Sequence, residues 1–306
     1  MNAILVLEQA LNGLQFGLML FLLAAGLTLV FGIMDMINLA HGSLYMVGAY
    51  LIATLTDALG SFWLGLGFGV LGAALFGVLL EVSILRRLYQ RDHLSQVLGT
   101  FAIMLMCNET VRLIWGAQPI SLNPPATLAG PVELFPGFSY ASYGLFIIGV
   151  GLLVAGLLYL LITRTRVGMQ VRAGAANREM AQAMGVNVRN LFTAVFGVGA
   201  ALCGVAGGML GPMLAVQVGM GESILILAFV VIVIGGIGSI RGAFLGALIV
   251  GVIDTAGRTL VPLLFASLMS AEAAANAAPA VASIMIYVLM STVLFFRPRG
   301  LFPSHG

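Results

Sequence analysis

Three polar residues occur at intervals of three just before and within the apolar stretch "INLAHGSLYMVGAYL". Asp35, Asn38 and His41 would lie near one face of a helix. Side chains of these types can bind protons, hydrogen-bond a polar solute, or cap helix ends. Polar and irregular segments at membrane depth are tolerated where they are buried in protein or line a wet cavity. Together with Gly42 and Gly48, the segment is therefore either a helix break with capping groups or a lining of a translocation path.

Other polar residues in apolar segments fall into pairs. Glu109 precedes Arg112 by three residues, and Asp254 precedes Arg258 by four. These spacings allow partial neutralisation on one helix face, so we interpret both as structural pairs. No nucleophile with its base, no metal-ligand spacing and no cofactor motif is recognisable, and we therefore predict no catalytic, metal or cofactor site.

The longest polar segment, "RTRVGMQVRAGAANREMAQAMGVNVRN", spans residues 164–190 and is called the coupling segment below. Asn177 is a candidate N-cap of a short helix, and Gly185 a candidate C-terminal stop. Small side chains recur every four residues at Ala173, Asn177, Ala181 and Gly185. This stripe of small side chains is bordered by Arg172 and Arg178 and has flexible methionine side chains beside it. The arrangement predicts docking into a groove of another protein. The alternative is a solvated loop.

The thirteen basic residues of the chain are all arginine. A phosphate-binding Walker A loop requires a lysine, so this chain carries no such ATP site. Its composition is 61% hydrophobic and 8% charged, with a mean hydropathy of +1.12. These values exclude a soluble domain and indicate a polytopic membrane protein, an all-α helical bundle. The 40 glycines among 306 residues predict close helix packing within the chain.

Apolar runs of membrane-spanning length predict about nine transmembrane helices, within a range of eight to ten. We place them at 11–34, 36–56, 62–85, 95–116, 141–163, 191–213, 222–240, 242–262 and 279–296. Broken helices are expected near 35–42 and 235–242, and the whole chain, 1–306, is expected to form one transmembrane domain. Eleven arginines fall on one side of this topology, at 86–91, 164–189, 241 and in the tail. That side is predicted to be cytoplasmic, together with the C-terminus.

Two segments are expected on the opposite side. Residues 117–140 hold four of the ten prolines of the chain, so we predict an ordered external loop with no long helix. The Ala-rich residues 266–280 are predicted to form a short interfacial helix.

Four stretches together resemble the branched-chain amino acid permeases of ABC importers, and specifically their LivH-like subunits. They are "GLTLVFGIMDMINLAHGSLYMVGAY", "RTRVGMQVRAGAANREMAQAMGVNVRNLF", "IGGIGSIRGAFLGALIVGV" and "FFRPRGLFP", in the same order as in that family. The resemblance implies a non-enzymatic permease subunit in the bacterial inner membrane. It also implies that residues Arg166 to Gly185, including Gly168, meet the ATPases, and that Asn38 to Gly48 lie near the translocation path.

The same resemblance implies the partners. They are a second homologous permease, two cytoplasmic ATPases that use the ATP, a periplasmic substrate-binding protein and the lipid bilayer, with no nucleic acid. The cargo would be branched-chain amino acids, with urea, short amides or aromatic acids as alternatives. Two other classes stay open: a scaffold without transport, and an ion-coupled secondary transporter with Asp35, His41, Glu109 and Asp254 as relay groups.

Overall fold

The computed structural model describes residues 3–268 and 270–302. Apart from a small β-hairpin and a 3-10 turn at Ala126–Leu128, the regular structure of the described chain consists of helices. In chain order they are α1 Ala3–Met34, α2 His41–Leu59, α3 Phe62–Leu80, a π-helical turn Glu81–Leu85, α4 Arg86–Leu88, α5 His93–Trp115, α6 Ser142–Arg164, α7 Arg166–Ala176, α8 Arg178–Ala183, α9 Val188–Leu214, α10 Met220–Gly235, α11 Ile240–Leu268 and α12 Ala271–Phe296.

Within the described residues, eight helices are long and apolar enough to cross a membrane. The predicted span 222–240 corresponds to α10, which is apolar but has only 16 residues. The prediction of a polytopic helical bundle is therefore confirmed, with a count at the lower end of its range. A 16-residue helix rises about 24 Å, which is less than the hydrocarbon core of a bilayer.

Both predicted helix breaks are present. The chain leaves helical geometry between Met34 and His41, and again between Gly235 and Ile240. The second break is covered by the C-terminal tail, because the backbone N–H groups of Leu301 and Phe302 donate to Ile234 O and Gly235 O, each at 2.9 Å. The tail therefore satisfies carbonyls at the end of α10 that no helical partner can satisfy. The predicted cytoplasmic tail continues into residues 303–306, including Ser304, which lie outside the described residues.

The core is organised around α1. In its most apolar stretch 83% of the residues are buried, against 11% in α12 at the periphery. Helix α1 packs against α6, α9, α10 and α11, while α2 packs against α3, α9 and α10. At the α1–α11 crossing, a Cβ added to Gly251 would lie 2.5 Å from Gly17 Cα. Glycine at these positions lets the two backbones meet, which confirms the prediction of close packing within one chain.

The predicted external loop has no long helix, as expected, but it contains regular structure that the sequence analysis missed. Strands β1 (Pro131–Phe135) and β2 (Phe138–Ala141) form an antiparallel hairpin. Before it, Ile120 pairs with Val216 after α9 through two backbone hydrogen bonds of 2.8 and 2.9 Å. The loop is therefore attached to the end of α9.

Two boundary predictions are wrong. Residues 266–280 do not form a separate short helix: Ser270 caps the first turn of the long helix α12, and the Ala-rich sequence continues into it. Residues 86–88, expected at the start of a loop, continue α3 through the π-helical turn. The loop is shorter, and Asp92 ends it by capping α5. Hydrogen bonds from the Ser95 hydroxyl and backbone N–H hold the pKa of Asp92 below its usual value.

Candidate functional site

The first polar cluster does not form one helix face, and that part of the prediction is wrong. Asp35 follows the end of α1 with a left-handed φ of +50°, which interrupts the helix. Asn38 lies in the non-helical link, where its Oδ1 accepts a hydrogen bond from Ala40 N at 3.0 Å. Such an Asx turn fixes the entry into α2. Asp35 is exposed, whereas Asn38 is fully buried, so the two side chains point into different surroundings.

His41 begins α2 and is fully buried between three helices. Its Nε2 lies 3.2 Å from Leu23 O on α1 and 3.1 Å from Cys203 Sγ on α9. Gly26 and Gly199 make room for the ring, because a Cβ on Gly26 would lie 3.1 Å from His41 Cε1. In this arrangement the imidazole joins α1, α2 and α9. Leu23 and Cys203 lie in the middle of α1 and α9, so His41 joins these helices along their length and does not cap their ends. Lining of the path stays a prediction.

Gly42 and Gly48 lie at close helix contacts. A Cβ on Gly42 would collide with Gly221 O at the start of α10, and a Cβ on Gly48 would lie 2.6 Å from Gly204 Cα on α9. Larger residues at either position would push α2 away from its neighbours. The five candidates for the path thus divide into one exposed residue, Asp35, and four that position α2.

Two candidate relay groups of the ion-coupled alternative, Asp254 and Glu109, form ion pairs within their own helices. Asp254 is buried, and its two carboxylate oxygens share the N–H of Arg258 Nε, at 2.9 and 3.0 Å. Glu109 pairs with Arg112 at 3.4 Å. Both intrahelical pairs are therefore confirmed. One polar contact was missed, because it joins different helices: Asn108 Nδ2 donates to Glu222 Oε1 at 2.5 Å.

The coupling segment folds into two short helices with the predicted caps. Asn177 Oδ1 accepts from Met180 N at 2.9 Å at the start of α8, and Gly185 follows α8 with φ of +87°. Thr165 caps α7 by accepting from Gly168 N at 3.1 Å. Gly168 is buried, and a Cβ there would collide with the backbone oxygens of Leu161 and Ile162. Gly168 therefore allows α7 to fold back onto the end of α6.

The two arginines predicted at the rim hold the coupling segment to the helical bundle, although Arg172 is exposed as expected and Arg178 is half-buried. Arg178 Nη2 donates to Ile33 O at 3.0 Å, at the end of α1, and its guanidinium lies 4.9 Å from the centre of the Phe192 ring on α9. Arg172 Nη1 donates to Ile162 O on α6. The free carbonyls at helix ends are good acceptors for arginine. The two side chains thus anchor α7 and α8 to three core helices.

The small-residue stripe is not one exposed surface. Ala173, Asn177 and Gly185 are exposed, but Ala181 is buried, with 4% of its surface accessible. The predicted partner contact through Ala181 is therefore wrong for this conformation, since its methyl group faces the protein. Large apolar side chains are exposed instead: Met180 and Met184 are 60% and 79% accessible. Arg166 is exposed as well.

Beside the coupling segment lies a buried charge that the sequence analysis overlooked. Glu81, in the π-helical turn, is 0% accessible and pairs with Arg86 Nη2 at 3.0 Å. Thr193 at the start of α9 donates to Glu81 Oε2 at 2.8 Å, and Tyr89 donates to Oε1 at 3.1 Å. This Glu81 cluster fastens the end of α3 to α9. The sequence did contain a signal for this cluster, because Glu81 is a single acidic residue at the end of an apolar run and precedes Arg86 by five residues.

Comparisons with known proteins agree with this architecture. The family model described as "Branched-chain amino acid transport system / permease component" matches residues 9–294. The chain is 29% identical over 307 residues to the high-affinity branched-chain amino acid transport system permease protein BraD of Pseudomonas aeruginosa, covering 96% of this chain and 95% of BraD. It is 31% identical over 267 residues to the LivH permease protein of Salmonella typhimurium, covering 81% of this chain and 84% of LivH.

The permease protein LivM of Escherichia coli is also similar, at 27% identity over 308 residues, covering 92% of this chain and 67% of LivM. No solved structure matches the chain significantly. The family model covers nearly the whole bundle, from within α1 to the last turn of α12. The chain therefore belongs to the permease-component family of branched-chain amino acid transport systems.

Proposed function

We propose that this chain is a non-enzymatic permease subunit of an ATP-driven importer in the bacterial inner membrane. Its cargo is branched-chain amino acids or a related small polar solute, with urea, short amides and aromatic acids as alternatives. The observation that carries the proposal is the family match over residues 9–294. BraD and LivH bear the names of branched-chain amino acid permeases, which supports the same cargo here.

The proposal includes several partners. A second, related permease completes the path, and similarity to both LivH and LivM supports a pair of homologous subunits. Two ATPases hydrolyse the ATP, because a chain without lysine has no Walker A loop of its own. A periplasmic binding protein delivers the cargo. The arginine distribution supports a cytoplasmic coupling segment and C-terminus.

The anchoring of the coupling segment supports a mechanical role. Helices α7 and α8 are tied to the ends of α1 and α6 by arginine side chains and contact α9. A movement of the bound ATPase would therefore be transmitted to the helices that surround His41. The exposed methionines Met180 and Met184 would fill a groove of the ATPase, since flexible thioether side chains adapt to such surfaces. Docking through methionines replaces the predicted docking through Ala181.

The test is ATP-dependent uptake of L-leucine into vesicles that contain the assembled importer, together with co-purification of the ATPases. Met184→Glu should reduce ATPase binding about tenfold or more, because a charge at the centre of an apolar contact is desolvated without a partner. The matched control is Gln182→Glu, which adds the same charge at an exposed polar position of the same segment. Ala181→Glu should instead impair folding of the chain.

One outcome would contradict the proposed function, and another would contradict only the docking surface. Uptake by the purified chain alone, driven by a proton or sodium gradient, would assign it to the ion-coupled class. Full ATPase binding and full substrate-stimulated ATP hydrolysis with Met184→Glu would leave the permease function intact and move the docking surface elsewhere.

A further inference from the structure

A recess with a volume of about 710 Å³ lies at the end of the bundle opposite the coupling segment. It is formed by the C-terminal end of α2, the start of α3, the end of α5 and the segment before the hairpin. Arg178 marks the coupling end through its bond to Ile33 O, near the start of α2. Because α2 has 19 residues, its other end lies about 28 Å away. This volume is typical of sites for small molecules.

The recess carries an acidic side chain and no basic one among its described lining residues. This acid is Asp57, which is exposed at the wall of the recess. Ser121 and Asn123 contribute further polar side chains. Thr56 Oγ1 also belongs to the lining and is buried without a hydrogen-bond partner in the described part of the chain. That hydroxyl packs against Gly65 of α3, so the polar side chains open to a ligand are those of Asp57, Ser121 and Asn123.

Trp115 is held in a fixed orientation beside these groups. Its indole Nε1–H donates to Thr54 Oγ1 at 2.6 Å, and Thr54 in turn donates to Tyr50 O at 2.9 Å. The indole also packs against the Tyr50 ring, with centroids 5.2 Å apart. A tryptophan face attracts cations, particularly where water is partly excluded. An acid and an oriented indole in one recess together favour a ligand with an ammonium group.

A second cavity, the apolar cleft, adjoins the recess and shares Trp115 as a wall. It has a volume of about 600 Å³ and runs between α2, α3 and α5, with Leu51, Phe76 and Met106 among its lining residues. Polar side chains therefore line part of the recess, whereas the adjoining cleft is lined almost entirely by apolar ones. This arrangement suits a ligand with a charged head and an aliphatic body, because the body gains free energy from burial while the head keeps polar partners.

We propose that the recess is a binding site for zwitterionic aliphatic amino acids on their way through the permease, an inference that rests on the proposed function. Asp57 and the face of Trp115 receive the ammonium group. Ser121 and Asn123 supply hydrogen bonds to the carboxylate, and the aliphatic side chain enters the apolar cleft. The ammonium group is the part of the ligand that this chain recognises by charge, since no basic residue of the described lining faces the carboxylate.

The test is equilibrium dialysis of radiolabelled L-leucine against the purified permease complex, without the binding protein. We expect saturable binding that Asp57→Asn weakens about tenfold or more, as for loss of a charge-assisted hydrogen bond. Glu133→Gln is the matched control, because it removes an exposed acid from the hairpin of the same loop, outside the recess. L-Leucinamide, which keeps the ammonium group, should compete, whereas 4-methylpentanoate, which lacks it, should not.

Folding of each variant is checked by its elution from size exclusion. Absence of saturable binding to the parent complex would overturn the proposal, as would unchanged affinity in Asp57→Asn or equal competition by 4-methylpentanoate. ATP-dependent uptake of leucine by the complete importer separates the two hypotheses. If the importer takes up leucine normally but the recess does not bind it, only the proposed binding site is refuted. Failure of the parent importer to transport any amino acid removes the amino acid cargo of the proposed function as well.

Discussion

Replacing Glu81 by glutamine should destabilise the chain far more than removing an exposed acid. The carboxylate is fully buried and accepts hydrogen bonds from Arg86, Tyr89 and Thr193. In the Glu81→Gln variant the amide keeps the size of the side chain, but it loses the charge and turns an NH₂ group toward donors. Arg86 then stays at the same place without its counter-charge.

The magnitude follows from the burial of the two partners. Breaking a fully buried ion pair costs roughly 3–5 kcal/mol. Arg86 is 21% accessible and keeps a hydrogen bond to Thr193 at 2.8 Å, so it retains part of its solvation. We therefore expect a loss of about 2–3 kcal/mol in the free energy of unfolding, or about 30- to 150-fold in the unfolding equilibrium.

The assay is reversible unfolding of the purified chain in mixed micelles, followed by circular dichroism as the fraction of denaturing detergent rises. Glu179→Gln is the control, because Glu179 is exposed in α8 and its replacement should change stability by about 0.5 kcal/mol or less. If Glu81→Gln and Glu179→Gln unfold at the same detergent fraction as the parent, the Glu81 cluster does not fasten α3 to α9, and the reasoning is refuted.

Three further predictions concern topology, the first polar cluster and the tail. Asn123→Cys and Gln182→Cys are made separately in a variant without native cysteines. An impermeant thiol reagent added outside intact cells should label the first and miss the second. Rapid labelling of Gln182→Cys would reverse the assigned orientation. His41→Ala should lower the yield of assembled complex, because it empties a buried site worth about 2–5 kcal/mol; normal assembly with reduced transport would instead favour lining of the path. Gly300→Val should release the tail, since a Cβ there would lie 2.5 Å from Gly236 Cα and φ is +79°; an unchanged rate of proteolysis at the C-terminus would contradict this.

The sequence by itself determined the class of protein and most of the helices. A bilayer imposes a length and an apolar composition on each spanning segment, and both are local properties that can be counted along the chain. The intrahelical pairs Glu109–Arg112 and Asp254–Arg258 were predictable for the same reason, since helix geometry fixes which neighbours meet. The caps at Asn177 and Gly185 also depend on adjacent residues alone.

Only the tertiary structure decided which side chains face inward. The buried position of Ala181, the anchoring of Arg178 on α1 and α9, and the contacts of His41 with Leu23 and Cys203 join residues far apart in the chain. Apolar composition gives little guidance here, because a membrane helix is apolar both toward lipid and toward its neighbours. The recess beside Trp115 likewise exists only because the ends of α2 and α5 and the loop after α5 meet in space.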